Sequence, residues 1–268
     1  MKLIIDNGGT SSDWAIVSEK KIISFDGINM FDSEEKLFLQ FQNIFSNLHL
    51  QGQNVSLDLY TAGATSEVSL KVQNVFNTHF STMDLSIFSD MLGASRALFI
   101  NKKGIACILG TGSNCAYFDG HQNRAITPSL GYLLSDEGSG YDLGRRLLIK
   151  YFNNALFNEI NQAIYDVTQM NKDDLISFIY SSQNPKRYIA SFSFLIKQFE
   201  HHKHIKNIIN ESVVSFLQTH PFKHPNYSGL RFGFVGSVAF SFKDYISSIL
   251  EQQNIDCFFL KKPIENLL

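Results

Sequence analysis

The chain has 268 residues, of which 44% are hydrophobic and 18% charged. That balance excludes a disordered or fibrous protein and allows one large domain or two ordinary ones. A net charge of −2 at neutral pH gives no support to binding of nucleic acid or of an anionic membrane. The three cysteines, Cys107, Cys115 and Cys257, form neither a CxxC pair nor an even disulfide framework, so a reducing compartment is expected. The opening MKLIIDN meets a charge at Asp6, too early for a signal-peptide core, and no apolar run approaches the ~18 residues of a membrane span. A soluble, cytoplasmic protein is the expectation.

Strand-like runs come first. Lys2–Asp6, Asp13–Ser18 and Lys21–Phe25 read as short strands, the first two joined by a turn of Gly8, Gly9 and Thr10. Glycine supplies positive φ in many hairpin turns, which accounts for Gly8 and Gly9 but leaves Asp6 and Thr10 without a purpose. Asp32 and Glu35 form a variant capping box before a helix whose apolar residues (Leu37, Phe38, Phe41, Ile44, Phe45, Leu48) recur at helical spacing. Strands at Val55–Tyr60 and Asp84–Phe88 alternate with helices predicted from Ser66 to His79 and from Asp90 to Phe99. Strands followed by strand–helix alternation indicate a mixed sheet flanked by helices.

At Gly104 the pattern restarts. IACILG is a strand, GTGS a turn, NCAYF a strand, and Asn123–Thr127 a third. Two strand–Gly/Thr-turn–strand units about one hundred residues apart read as two related lobes, not as a short-period solenoid. The division is placed near Asn101–Gly104, giving residues 1–102 and 103–268. After Asp136 the chain turns helical, with Tyr141–Tyr151 first and a break at Asn184-Pro185. Near the end, LRFGFVGSVAF reads as a strand, a Gly-Ser turn at Gly236 and Ser237, and the start of a helix. Trp14 is assigned to the core, as are Cys107 and Cys115, which alternate in buried strands. The tract His201-His202-Lys203-His204, with His220 and His224, lacks a completing carboxylate or cysteine and reads as solvated surface.

Each Gly/Thr turn lets backbone N–H groups approach an anion while hydroxyls add donors, a cradle for phosphates. Neither matches a P-loop. From the residues alone, Asp90 could N-cap the helix it precedes, and Asp136-Glu137 could open a helix and favour its dipole.

Taken together, Asp6-Asn-Gly-Gly-Thr10, Leu109-Gly-Thr-Gly-Ser-Asn114 and Gly233-Phe-Val-Gly-Ser237 resemble the two phosphate motifs and the adenosine motif of the sugar kinase, heat-shock-70 and actin superfamily. Phe88-Ser-Asp90 with Met-Leu-Gly-Ala-Ser95, GTGSN at Gly110–Asn114, and Gly131-Tyr-Leu-Leu-Ser-Asp-Glu-Gly-Ser139 narrow the resemblance. They are similar to N-acetylglucosamine kinases and to the related activator ATPases of 2-hydroxyacyl-CoA dehydratases. The resemblance implies an α/β fold of two ribonuclease-H-like lobes, with ATP and sugar in a cleft between lobes that close on ligand. It implies that Asp6 holds Mg²⁺ through water, that Gly8, Gly9, Thr10, Thr111 and Gly112 contact the phosphates, and that Gly236 and Ser237 lie beside the adenosine. Asp90 would be the base for the sugar hydroxyl, with Asn29, Asp90, Ser113, Asn114 and Asp136 contacting the sugar.

Two departures stand out. Asn7 replaces a small residue of the first motif, where its tolerance of positive φ would preserve the turn, and Ser11-Ser12 replace a Lys-Thr pair. The expected activity is ATP-dependent phosphorylation of an amino sugar, N-acetylglucosamine at its 6-hydroxyl, with Mg²⁺; a homodimer is allowed. The alternatives are an activator ATPase, which needs exposed iron–sulfur cysteines, and a nucleotide or sugar sensor without transfer.

Overall fold

The computed structural model describes residues 1–50 and 52–268. The chain divides into two compact units: residues 1–101 with 120–123 and 262–268, and residues 102–119 with 124–261.

The first unit is built on strands β1 (Lys2–Asn7), β2 (Ser11–Ile16), β3 (Lys21–Asp26), β4 (Val55–Thr61) and β5 (Met83–Ser89), in the order β3-β2-β1-β4-β5. β1 to β3 form an antiparallel meander, while β4 and β5 run parallel to β1. Helices α1 (Glu34–Asn47), α2 (Ser66–His79) and α3 (Asp90–Phe99) complete the unit. Side chains alternate across each strand, so Leu3, Ile5, Trp14, Leu57 and Leu59 meet Leu37, Phe41 and Phe45 of α1 and Val72 and Phe76 of α2 in one core. Ile4, Ala15 and Tyr60 point to the opposite side and pack with Ile264 from the end of the chain. Trp14, wholly buried, stands edge-on to Phe25, Phe41 and Phe45. The cap of α1 is Ser33, whose hydroxyl accepts from the Lys36 N–H at 3.4 Å. The expected cap, Asp32, lies one residue before the observed cap and pairs with Lys36 at 2.8 Å.

The second unit repeats the arrangement. Strands β6 (Gly104–Leu109), β7 (Ser113–Phe118), β8 (Asn123–Ala125), β9 (Phe232–Val235) and β10 (Cys257–Leu260) are ordered β10-β9-β6-β7-β8, the same sequence of places read from the other edge. β6 pairs antiparallel with β7 and parallel with β9, and β9 parallel with β10. Six helices, α4 (Gly140–Phe152), α5 (Asn158–Thr168), α6 (Lys172–Ser181), α7 (Pro185–Ser191), α8 (Ser193–Gln198) and α9 (Lys203–Thr219), fall between β8 and β9; α10 (Ser237–Ser241) and α11 (Lys243–Glu251) follow β9. Leu143 and Leu147 of α4, Phe216 of α9 and Ile246 and Leu250 of α11 share a core with Ile105, Cys107, Phe232 and Phe234. The fold is therefore α/β, with two ribonuclease-H-like lobes, each a mixed five-stranded sheet flanked by helices. Among the described residues no helix is long and apolar enough to cross a membrane.

The histidines divide into two groups. His202 and His204 lie against Phe157. His220, expected at a solvated surface, is instead buried: its ring meets Thr127 at 2.6 Å and Glu137 at 3.1 Å. His224 stacks on Tyr117.

Asp142, in the first turn of α4, organises the motif that precedes it. Its carboxylate accepts from the Gly138 N–H at 3.2 Å, from Ser212 of α9 at 2.7 Å and from Arg146 at 2.9 and 3.0 Å, while Ser139 caps the helix. It is 3% exposed, so removing it strands buried donors and a guanidinium. Asp142→Ala is expected to cost about 2–4 kcal/mol of stability, read as a lowered urea midpoint.

Candidate active site

In the first unit the parallel strands set the site. Register places Asn7 of β1 beside Thr61 of β4, and Thr61 beside Ser89 of β5, so three strands end level. The carboxyl edge of such strands is where α/β sheets bind ligands. Asp6 lies one residue inside this edge and Asp90 one residue beyond it.

The turn from Gly8 to Thr10 is closed by Gly8 N–H donating to the Ser11 carbonyl at 2.9 Å, and Gly27 N–H donates to the Thr10 carbonyl at 3.1 Å. Neither Gly8 nor Gly9 has positive φ, so left-handed backbone is not what demands glycine here. A side chain at Gly9 would meet nothing within 4 Å; what glycine leaves at this tip is bare backbone. Asn7 does not adopt positive φ either. It is extended, 2% exposed, and its amide donates to the Ile28 carbonyl and the Thr61 hydroxyl and accepts from the Ile28 N–H, each at 2.9 Å. Ser12 is wholly buried and accepts from the Trp14 indole at 2.8 Å. Asn7 and Ser12 are thus structural fastenings, while Ser11 is exposed. Asn29 is exposed, and its amide is spent within its own turn on the Phe31 N–H and the Asp32 carboxylate, each at 3.2 Å.

Asp90 is the first residue of α3, but it is not the cap. Ser89 takes that place, accepting from the Leu92 N–H at 3.2 Å. The Asp90 carboxylate turns back to the Met91 N–H at 2.7 Å. Burial raises its affinity for a proton, opposed by the N–H groups of Met91 and of Asp90 itself. Asp6 is pushed up to about 7, first by burial and then by the negative charges of Asp90 and Asp13. Mutually repelling, desolvated carboxylates suit a cation. Among the described residues no group of three or more His, Cys, Asp or Glu side chains is arranged to hold a metal. Mg²⁺ does not require one, since it binds through one or two carboxylates and keeps waters and phosphate oxygens. Asp6 fits such an ion.

In the second unit, Gly110 N–H donates to the Gly112 carbonyl at 2.9 Å to form the turn between β6 and β7. The start of α4 supports it from behind, with Gly140 N–H on the Gly110 carbonyl at 2.8 Å and Tyr141 N–H on the Thr111 carbonyl at 3.2 Å. Asp136 opens no helix: it is a turn residue with φ of 72°, 4% exposed, accepting from the Ser113 N–H at 3.1 Å and pairing with Lys186 at 2.8 Å. Glu137 is likewise outside α4 and accepts from Ser135 at 3.0 Å. Ser113 begins β7 with its hydroxyl buried and unbonded among the described residues, and the Asn114 side chain accepts from the Cys115 N–H at 2.8 Å. Gly236, with φ of 105°, packs against the Leu109 carbonyl, where any side chain would collide; Ser237 beside it is exposed. The Gly-Ser turn after β9 and the turn after β6 are therefore neighbours. Cys107 and Cys115 lie directly across from each other, buried, with sulfurs 3.7 Å apart.

Three residues of this half lay outside the sequence reading: Lys186, Asp142 and, as a buried group, His220. The one available signal was Asp142, which stands three residues after Ser139 as capping residues do.

The raised Asp6 makes a stability prediction. The unfolded carboxyl titrates near 3.8 and the folded one near 7, so the folded state holds the proton longer and loses stability as pH rises between these values. Asp6→Asn, which cannot ionise, is expected to melt a few degrees above the wild type at pH 8 in EDTA, with the gap closing towards pH 4. Thermal melts across that range check it, and a gap that does not change with pH would contradict it.

No protein-family model matches the chain. It is 27% identical over 209 residues to the N-acetylmuramic acid/N-acetylglucosamine kinase of Clostridium acetobutylicum, across 72% of this chain and 68% of that one. A solved structure described as a candidate N-acetylglucosamine kinase from Porphyromonas gingivalis matches with a TM-score of 0.92 and 30% identity, over 100% of this chain and 97% of that one. Another so described, from Chromobacterium violaceum, matches with a TM-score of 0.72 and 14% identity over 99% and 97%, which speaks for the fold alone. With a likeness that runs its full length and passes through both turns, the chain belongs to the N-acetylglucosamine kinase family of ATP-dependent sugar kinases.

Proposed function

We propose that this protein phosphorylates the 6-hydroxyl of N-acetylglucosamine with ATP in the cytoplasm, and that N-acetylmuramic acid belongs to the same substrate class. The observation that carries the reading is the pair Asp6 and Asp90 at the carboxyl edge of the first sheet, with Ser89 relieving Asp90 of the helix cap. Asp90 is then free to act as the base: it orients the sugar hydroxyl and accepts its proton as the bond to phosphorus forms. Its burial suits that task, since a carboxylate held above its usual range is a better proton acceptor near neutral pH. The backbone of Gly8 and Gly9 with Thr10, and Thr111 with Gly112, contact the phosphates; Gly236 and Ser237 lie against the adenosine. Ser113, Asn114 and Asp136 meet the sugar, and Asn29 does so by giving up one bond of its own turn. Asp6 would hold Mg²⁺, and the ion would supply charge neutralisation for the triphosphate. Phosphoryl transfer of this kind depends on positioning and electrostatics more than on covalent chemistry. The activator ATPase alternative needs accessible cluster thiols, whereas Cys107 and Cys115 are sealed in the core at 0% and 2% exposure.

A coupled assay of ADP release over hexoses, hexosamines, N-acetylhexosamines and N-acetylmuramic acid tests the reading. N-acetylglucosamine should be used at least about tenfold more efficiently than glucose, because polar partners of the acetyl group are left unpaired without it. Equal use of glucose would indicate a general hexokinase. Asp90→Asn retains an acceptor for the Met91 N–H but cannot take the proton. It is expected to fold, melt near the wild type and bind ATP, with sugar-dependent ADP release down at least about a hundredfold. Near-normal turnover would remove Asp90 from the mechanism.

A further inference from the structure

The ammonium of Lys186, on α7, lies against the turn between β6 and β7. A methyl group built on Gly112 would sit 2.6 Å from its Nζ and 2.9 Å from the Asp136 carboxylate. Lys186 pairs with that carboxylate at 2.8 Å and keeps 31% of its side chain exposed. Asp136, buried below it, also fastens the Ser113 N–H, so the lysine is tied to the backbone of the turn itself. An ammonium has three donors, and the contact with Asp136 is an ion pair that leaves donors over. The ammonium stands beside the bare backbone of Gly112, with the Tyr132 ring 5.9 Å away. The first turn, by contrast, carries Ser11-Ser12, of which Ser12 is buried under Trp14 and unable to reach outward.

We propose that Lys186 is a phosphate-binding residue: its ammonium, aimed by Asp136, donates to the phosphate oxygens of the nucleotide held at the Gly110–Gly112 turn. The second unit thereby supplies a charge that the first turn lacks. Only a glycine at position 112 lets the ammonium approach so closely, which gives that glycine a purpose its φ does not. The inference rests on the kinase reading above.

Calorimetric titration with two probes separates the two ideas: Mg²⁺ with adenylyl imidodiphosphate, and adenosine alone. Lys186→Gln should weaken the imidodiphosphate by about tenfold or more, the loss of one charge-assisted hydrogen bond. Its affinity for adenosine should change by less than about twofold, and Lys186→Arg should recover most of the loss. A purely structural ion pair would lower the melting temperature and leave the ratio of the two affinities unchanged, and that result overturns the inference while sparing the kinase reading. A wild type that binds neither probe overturns both. Should Lys186→Gln not fold, acetic anhydride labelling of the wild type decides. Protection of Lys186 by Mg²⁺ and imidodiphosphate but not by adenosine supports the inference, and equal labelling in both cases refutes it.

Discussion

A glycine turn that presents bare backbone has no side chain of its own to tie it to the rest of the fold, and in both units a buried polar side chain at its edge supplies that tie. It adds to the backbone bonds that close each turn. In the first unit the fastener is Asn7, whose amide donates to the Ile28 carbonyl and the Thr61 hydroxyl and accepts from the Ile28 N–H. In the second it is Asp136, which binds the Ser113 N–H and the Lys186 ammonium. A buried amide or carboxylate left unpaired would cost about 1–3 kcal/mol, so each fastener also dictates where its partners lie. The loop at Ile28, the end of β4 and the start of α7 are placed by these bonds.

The same economy runs through the carboxylates. Asp6 and Asp90 stand close enough to repel, in surroundings dry enough to raise both, which destabilises the fold near neutral pH in exchange for a place that wants a cation and a proton. Asp142 shows the contrasting solution, a buried carboxylate neutralised by Arg146 and saturated by Ser212 and Gly138. One is poised, the other is fixed, and the difference lies wholly in the partners that surround them.

Much of the architecture is legible in the sequence because it is local. The helices at Ser66–His79 and Asp90–Phe99 follow from apolar spacing, and the repeated strand–turn–strand units foreshadow two sheets of the same order. Caps are harder to read. Asp32-Ser33 and Ser89-Asp90 each offer two adjacent capping residues, and the serine caps in both cases. Composition cannot choose between neighbours; the choice falls to the residue whose backbone is extended, with ψ 156° at Ser33 and 147° at Ser89. The family motifs likewise mark Asp90, Thr111 and Gly236 as chemically interesting without saying what each one touches.

The sequence by itself determined the alternation of strands and helices, the two backbone cradles and the presence of a carboxylate beside the first, because these depend on spacings of a few residues. Tertiary structure decided which polar groups meet. Asn7 bonds to Thr61, 54 residues away, and His220 to Glu137, 83 residues away; Asp136 meets Lys186 at the start of α7. Residues 262–268 return to the first unit after the chain has built the second. Such pairings follow from how whole sheets and helices stack, and a buried polar side chain finds its partner only after that stacking has excluded water.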